Sequence, residues 1–393
     1  ALAECGRKDA IKTTLFFCLV NLRFGRINPA KLWFREYFKT LDPTVLQQET
    51  AILLQSYLNG IFGKDKELEQ DIINLIDSWV GIINENEQIN TELLNAYENY
   101  ISNINVNQQF NYQSLLQFCT SVEGLRRSYN DVSKYNRLIE TIKSLDVDSE
   151  PQDEANYKNR IDTILMNLIS NYDAEELELK NQQEYYRLII ENNSDIEQAQ
   201  AQYDALLDLQ NEHFNIGKQM LKWAIYDDSQ QTDVQVRKFG FQNTKKWFIT
   251  SLNNWDAKLK SAFPNEYKLH IDSWDGVSNG HDQAEQIENM KIFYENNKFQ
   301  NMFVNTPNIT AAIVFLVSIG LAFVTLYSLI FTGLAAGFLV WRVLKSMKQY
   351  PSRVKASLEH LSACMAEISD FQRYFEENRA KKSQLLSLVE FIQ

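Results

Sequence analysis

The chain has 393 residues, six prolines, 13 glycines and a formal net charge of −12, with 23% of its residues charged. An acidic balance of this size excludes a general nucleic-acid binder, because neutralising phosphates needs a basic face. Asn, Gln, Glu, Leu and Ile dominate the middle of the chain, a composition of long helices more than of sheets.

Residues 1–63 read as short N-terminal helices. The apolar centre at 13–22 has charges on both sides and no small-residue cleavage site after it, so it reads as an amphipathic core helix and not as a signal peptide. Pro29 suits the first turn of a second helix, where its missing N–H costs little, and Asp42-Pro43 opens a third. Residues 64–216 read as a long helical bundle or coiled coil. Leu68, Ile72, Leu75 or Ile76, Trp79 and Ile83 follow helical spacing with one wet face, and Gly81 inside the run marks an expected break. Residues 110–145 repeat the pattern, and the acidic stretch around Pro151 is a loop. No Gly or Pro occurs over 152–216, where Ile161, Leu165, Leu168 and Tyr172 start a coiled-coil-like seam. This stretch forms either one helix of about 95 Å at 1.5 Å per residue or an antiparallel pair turning at Asn192-Asn193-Ser194.

Residues 217–280 are rich in rings (Trp223, Phe239, Phe241, Trp247, Phe248, Trp255, Phe263, Tyr267, Trp274) and read as an aromatic helical subdomain with those rings as its core. The competing reading is an exposed aromatic surface for headgroups or glycans. Residues 281–309 form a polar helix leading to the next segment and ending at Asn305-Thr306-Pro307. Residues 342–393, basic at first and then amphipathic, form a last helix after a break at Pro351.

Residues 310–341 stand apart. No charged residue occurs between Lys298 and Arg342. A run of 18 or more apolar residues without charge is a candidate membrane segment, since about 20 residues cross a core of roughly 30 Å. As one helix the segment would measure about 48 Å, and as a hairpin each arm would be near 20 Å, with turns available at Tyr327-Ser328 or Thr332-Gly333. A buried core helix is the third possibility. The side chains expected to enter lipid are Ala311, Ile313, Phe315, Leu316, Ile319, Leu321, Phe323, Leu326, Leu329, Phe331, Leu334, Phe338 and Leu339. Tyr327, Trp341, Arg342 and Lys345 form an expected interfacial belt, and Gly320, Gly333 and Gly337 permit close helix contact or a hinge.

No catalytic chemistry is legible. The glycine-lysine pairs at Gly63-Lys64 and Gly217-Lys218 lack the other residues of a phosphate-binding loop, and neither GxSxG nor HExxH occurs. Cys5, Cys18, Cys119 and Cys364 are scattered without a CxxC pair and read as buried reduced thiols. With four histidines and no ligand cluster, no metal and no cofactor are expected. The expected fold class is all-α: an elongated bundle of long coiled-coil-like helices with a hydrophobic membrane-insertion segment, either a helical hairpin or a single transmembrane helix.

Long amphipathic helices with one uncharged segment, over roughly 152–393, give the chain an architecture that resembles the α-pore-forming toxins of the cytolysin A kind. The resemblance implies a secreted soluble form that hides the apolar segment, releases it onto a lipid bilayer and oligomerises with itself or with a related helical subunit. It implies no enzyme activity and no nucleic-acid partner. The helical trunk is also similar to the stalk of bacterial dynamin-like proteins, which implies the alternative of a resident membrane scaffold, remodelling partner or defence effector.

Overall fold

The computed structural model describes residues 10–106, 108–145, scattered residues between 159 and 200, 214–226, 234–304, 306–322 and 328–392. The described chain is all-α apart from two short strands. In chain order it forms α1 (Ala10–Arg23), α2 (Ile27–Lys39), α3 (Gln48–Leu58), α4 (Lys66–Glu85), α5 (Glu87–Asn103), α6 (Gln113–Phe118), α7 (Val122–Ser144) and α8 (Ile216–Leu221). There follow α9 (Val234–Ala262), β1 (Tyr267–Ile271), β2 (Trp274–Ser278), α10 (Gln283–Asn296), α11 (Lys298–Phe303), α12 (Thr306–Ala322) and α13 (Ser328–Phe391). The coiled-coil expectation for 152–216 falls almost wholly outside the described residues. Two compact units are present. One draws on Ala1–Ile104, Leu138–Asp256 and Ser383–Gln393, the other on Asn105–Arg137 and Ala257–Lys382.

The first unit is a helical core built on rings. Phe34 lies against Phe38 and Phe62 with centroids 4.4 and 4.6 Å apart, and Phe38 stacks on Trp79 of α4. Helix α4 starts where Asp65 caps the backbone N–H groups of Glu67 and Leu68, and it ends at Asn86, whose side chain caps α5 in turn. The expected break at Gly81 is absent. An interior glycine costs a helix only about 1 kcal/mol, less than the paired caps and buried Trp79 and Ile83 supply. Helices α5 and α9 are tied by a buried hydrogen bond between Tyr97 and Thr244 (2.5 Å), and by Trp247 Nε1 donating to Asn90 (2.6 Å). Gly240 has no substitute here, since a Cβ on it would lie 2.5 Å from the Met220 carbonyl. The rings of Trp223, Phe241, Trp247, Phe248 and Trp255 are all buried, so they are core and not a surface.

Asp65 also accepts a bond from the nearly buried ammonium of Lys31 at 2.9 Å. That bond, followed by the N–H bonds of the cap, holds its carboxyl below the ordinary value. A depressed folded-state pKa means this stabilisation is complete above the unfolded value of about 3.9 and is lost as pH falls through the lower folded value. Asp65→Asn keeps an acceptor for the cap but no partner for Lys31, and Asp65→Ala removes both. Melting temperature at neutral pH is expected to fall in the order wild type, Asn, Ala, with the differences shrinking in acid.

The second unit is organised on the middle of α13. Leu361, Cys364, Met365, Ile368 and Phe371 are buried in one cluster with Leu115, Leu125, Tyr267, Leu269, Ile271, Trp274 and Met290. The strands form an antiparallel hairpin turning at Asp272-Ser273, with Tyr267, Leu269 and Ile271 facing the core. The wholly helical reading of 217–280 is therefore corrected. Tyr-Lys-Leu-His-Ile alternates at the strand period, and Asp272 supplies the left-handed turn conformation at φ 53°. The carboxylate of Glu367 accepts from the backbone N–H groups of Ser114 and Leu115 (3.1 and 2.9 Å), so α13 caps the short helix α6, whose N-cap residue Tyr112 supplies no side-chain bond. Burial raises the thiols of Cys18 and Cys364, the second to about 12, and Cys18, Cys119 and Cys364 are buried and unbridged.

Of two expected breaks, the one at 305–307 is present, since α11 ends at Phe303 and α12 begins at Thr306, and the one at Pro351 is not. Pro307 lies in the first turn of α12 and helps to start it. Pro351 is inside α13, which runs through it. A proline removes one ladder bond, here to the carbonyl of Met347, and packing on both sides of the site holds the helix across the gap.

Candidate membrane interface

Helices α12 and α13 are separated only by residues 323–327, and they return on one another. The hydroxyl of Thr332 donates to the carbonyl of Ser318 at 3.0 Å. Lower down, Ser346 donates to the carbonyl of Met302 at 2.7 Å, and Tyr350 donates to the carbonyl of Tyr294 at 2.7 Å. These pairs bracket 323–327 almost symmetrically, which is the register of an antiparallel helical hairpin. A turn at Thr332-Gly333 is excluded, because both residues lie inside α13.

The seam follows from side-chain size. On α12 it consists of Asn308, Ala311 and Ser318, which are buried, and of Phe315, which is half-buried. On α13 it consists of Thr332, Ala335, Ala336 and Leu339, all half-buried. The three-four spacing is that of knobs fitting holes, and the small residues allow close approach. The polar atoms turn inward. Besides the Thr332 bond, Ser318 Oγ donates to the Phe315 carbonyl (2.7 Å), and Asn308 donates to the Met302 carbonyl (3.1 Å) that also accepts from Ser346. The carbonyl of Met302, at the end of α11 where no intrahelical N–H follows to bond it, is thus satisfied twice.

Among the described residues of the arms, the outer surface is apolar except for Thr310. Ile313, Val314, Leu316, Val317, Ile330, Phe331, Leu334, Phe338, Val340 and Trp341 are each at least 49% exposed. None of the most apolar 18-residue window of α13 is buried, and α13 is long and apolar enough to cross a membrane. A soluble surface rarely carries more than a few hundred Å² of contiguous apolar area, so a face like this marks an interface with lipid or protein.

The expected site residues divide accordingly. Ile313, Leu316, Phe331, Leu334 and Phe338 face outward, Phe315, Ile319 and Leu339 are half-buried, and Ala311 turns into the seam, where its small size lets the arms approach. The side chains of Gly320, Leu321, Phe323, Leu326, Tyr327 and Leu329 lie outside the described residues. Gly333 and Gly337 are exposed, with open space where a Cβ would stand, so they do not form the contact between the two arms. Trp341 is exposed and Lys345 sits over its ring at 5.1 Å. Ile309, Val314, Val317, Ile330, Val340 and Leu344 belong to the same surface and were not among the expected residues. Their signal was the absence of any polar stripe, so that large apolar residues occupy the outer positions of both arms as well as part of the seam.

The hairpin is braced at its base within the second unit. Tyr294 donates to Ser357 (3.1 Å), and Ser357 donates to Asp272 at the strand turn (2.5 Å). Burial raises the phenol of Tyr350, whose hydroxyl is already committed to the Tyr294 carbonyl. A pocket of about 180 Å³ lined by Ser121, Glu266 and Lys268 is smaller than the 300–1,000 Å³ of ordinary ligand sites. Comparison with protein-family models, with curated proteins and with solved structures returns no match.

Proposed function

We propose that the chain is a membrane-inserting helical protein, in which the α12–α13 hairpin enters a lipid bilayer and the rest of the chain stays outside it. The observation that supports this is the division of the hairpin into an apolar outer surface and an inner seam that holds its polar side chains. In lipid every backbone group needs an internal partner, and a helical pair with inward-turned hydroxyls meets that need. The 17 residues of α12 span about 25 Å, short of a core of roughly 30 Å, so the hairpin dips in and returns both ends to the same side.

A resident anchor is the reading this geometry favours over a buried, releasable tongue, since the apolar side chains already face outward. Conversion to a membrane oligomer of the pore-forming kind is the second reading. The open, exposed face at Gly333 and Gly337 favours it, being shaped for a further helix. Ser318 and Thr332, whose hydroxyls would suit the wall of a water-filled lumen, are instead engaged in the hairpin seam.

Vesicles separate the readings. Full-length protein diluted from detergent is expected to float with them. Single cysteines at Lys298 and Lys345 are expected to react with an impermeant maleimide from the same side. Leakage of an entrapped dye identifies the pore reading, and retention identifies the anchor. Labelling of the two positions from opposite sides would overturn the hairpin insertion.

A further inference from the structure

Between Glu295 and Glu359 the sequence contains no Asp or Glu, in a chain that has 51 of them. The same stretch contains Lys298, Arg342, Lys345, Lys348, Arg353 and Lys355. None of the cations lies within the apolar arms. In a single span they would fall on opposite sides of a membrane. The hairpin register puts them on one side: the pairs Met302–Ser346 and Tyr294–Tyr350 bracket Lys298 and Lys348, placing them level with each other on opposing helices. Lys298, Lys345, Lys348 and Arg353 are exposed and Arg342 is half-exposed. Among the described residues the first carboxylate paired with any of the six is Glu359, 3.8 Å from Lys355 and furthest from the apolar tip.

We infer that this base is a cationic collar that binds the headgroups of anionic phospholipids, so the hairpin enters negatively charged membranes in preference to neutral ones. The inference rests on the hairpin reading and adds the identity of its lipid partner. Three features carry it. The charge sits where headgroups meet the hydrocarbon, next to Trp341, an interfacial residue type. No acidic residue falls among these cations in sequence, and by the same register the carboxylates of Glu295, level with Gln349, and of Asp272, bonded to Ser357, mark the collar's lower edge. The collar also runs counter to the net charge of −12, which by itself repels an anionic surface. A Lys or Arg held near such a surface strengthens binding by about fivefold, and the effect fades within a Debye length.

The test is flotation of the full chain with vesicles of phosphatidylcholine alone and of phosphatidylcholine mixed with phosphatidylglycerol, at low and at high salt. Wild type is expected to partition at least about tenfold better into the anionic vesicles at low salt, with the advantage lost at high salt. The triple variant Lys298→Gln, Lys348→Gln, Arg353→Gln, outside the interfacial belt, is expected to bind neutral vesicles as wild type does and to lose most of the anionic advantage. Equal uptake of wild type by both vesicle types, or an undiminished preference in the triple variant, overturns the collar and leaves the hairpin reading in place. No uptake by either vesicle overturns both.

Discussion

Leu316→Asp combined with Leu334→Asp is expected to abolish partition into vesicles while leaving the folded body unchanged. Both leucines point away from the seam, at 65% and 67% exposure, so neither contributes to packing within the described structure. In lipid the situation reverses. An aspartate near the centre of an inserted helix costs about 2.5–3.5 kcal/mol on insertion scales, and each leucine removed forfeits a further few tenths. Two such changes, one on each arm, amount to at least about four orders of magnitude in partition. The measurement is flotation, paired with thermal melting in mild detergent to show the body intact. A double variant that floats as wild type does would sink the hairpin as the inserting element. Thr332→Val is the matching control. It removes the bond to Ser318, worth about 1 kcal/mol, without adding charge, and is expected to soften the hairpin but not to expel it.

Phe371→Ala is expected to have the opposite profile. The residue lies on the same helix as Leu334, is fully buried, and stacks on Phe263 with centroids 5.6 Å apart, with Phe110 and Tyr112 edge-on. Truncating a buried phenylalanine costs about 3–5 kcal/mol, a large part of the stability of one unit. Hydrogen exchange read peptide by peptide is expected to show protection lost through β1, β2, α6 and the middle of α13. Phe371→Leu, which keeps most of the volume, is expected to cost under about 1.5 kcal/mol. Unaltered protection in the alanine variant would mean that the cluster around Phe371 is not the core of its unit.

The helices were legible because their apolar residues recur at the helical period with polar residues between them, as Leu68, Ile72, Ile76 and Ile83 do, and all four are buried. The apolar segment was legible by the absence of charge. Its hairpin form was not, since Ala311, Ser318, Ala335 and Ala336 define the seam by size within an already apolar background. The β-hairpin was hidden by the ring-rich sequence around it, although Tyr267, Leu269 and Ile271 alternate with Lys268 and His270. Pro351 misled in the other direction. A local rule predicts a break there, and contacts with residues far away in sequence hold the helix together.

That proline has a mechanical meaning. With one rung missing from its ladder, α13 has its point of greatest compliance between the exposed apolar arm and the buried cluster. The surrounding bonds are placed as struts: Ser346 and Tyr350 fasten the helix to Met302 and Tyr294 just before the gap, and Ser357 fastens it to Tyr294 and Asp272 just after. Under the insertion proposed above, bending stress from a moving bilayer would be carried across the weak point into the protein body, and the hairpin would act as a stiff lever instead of a hinged flap.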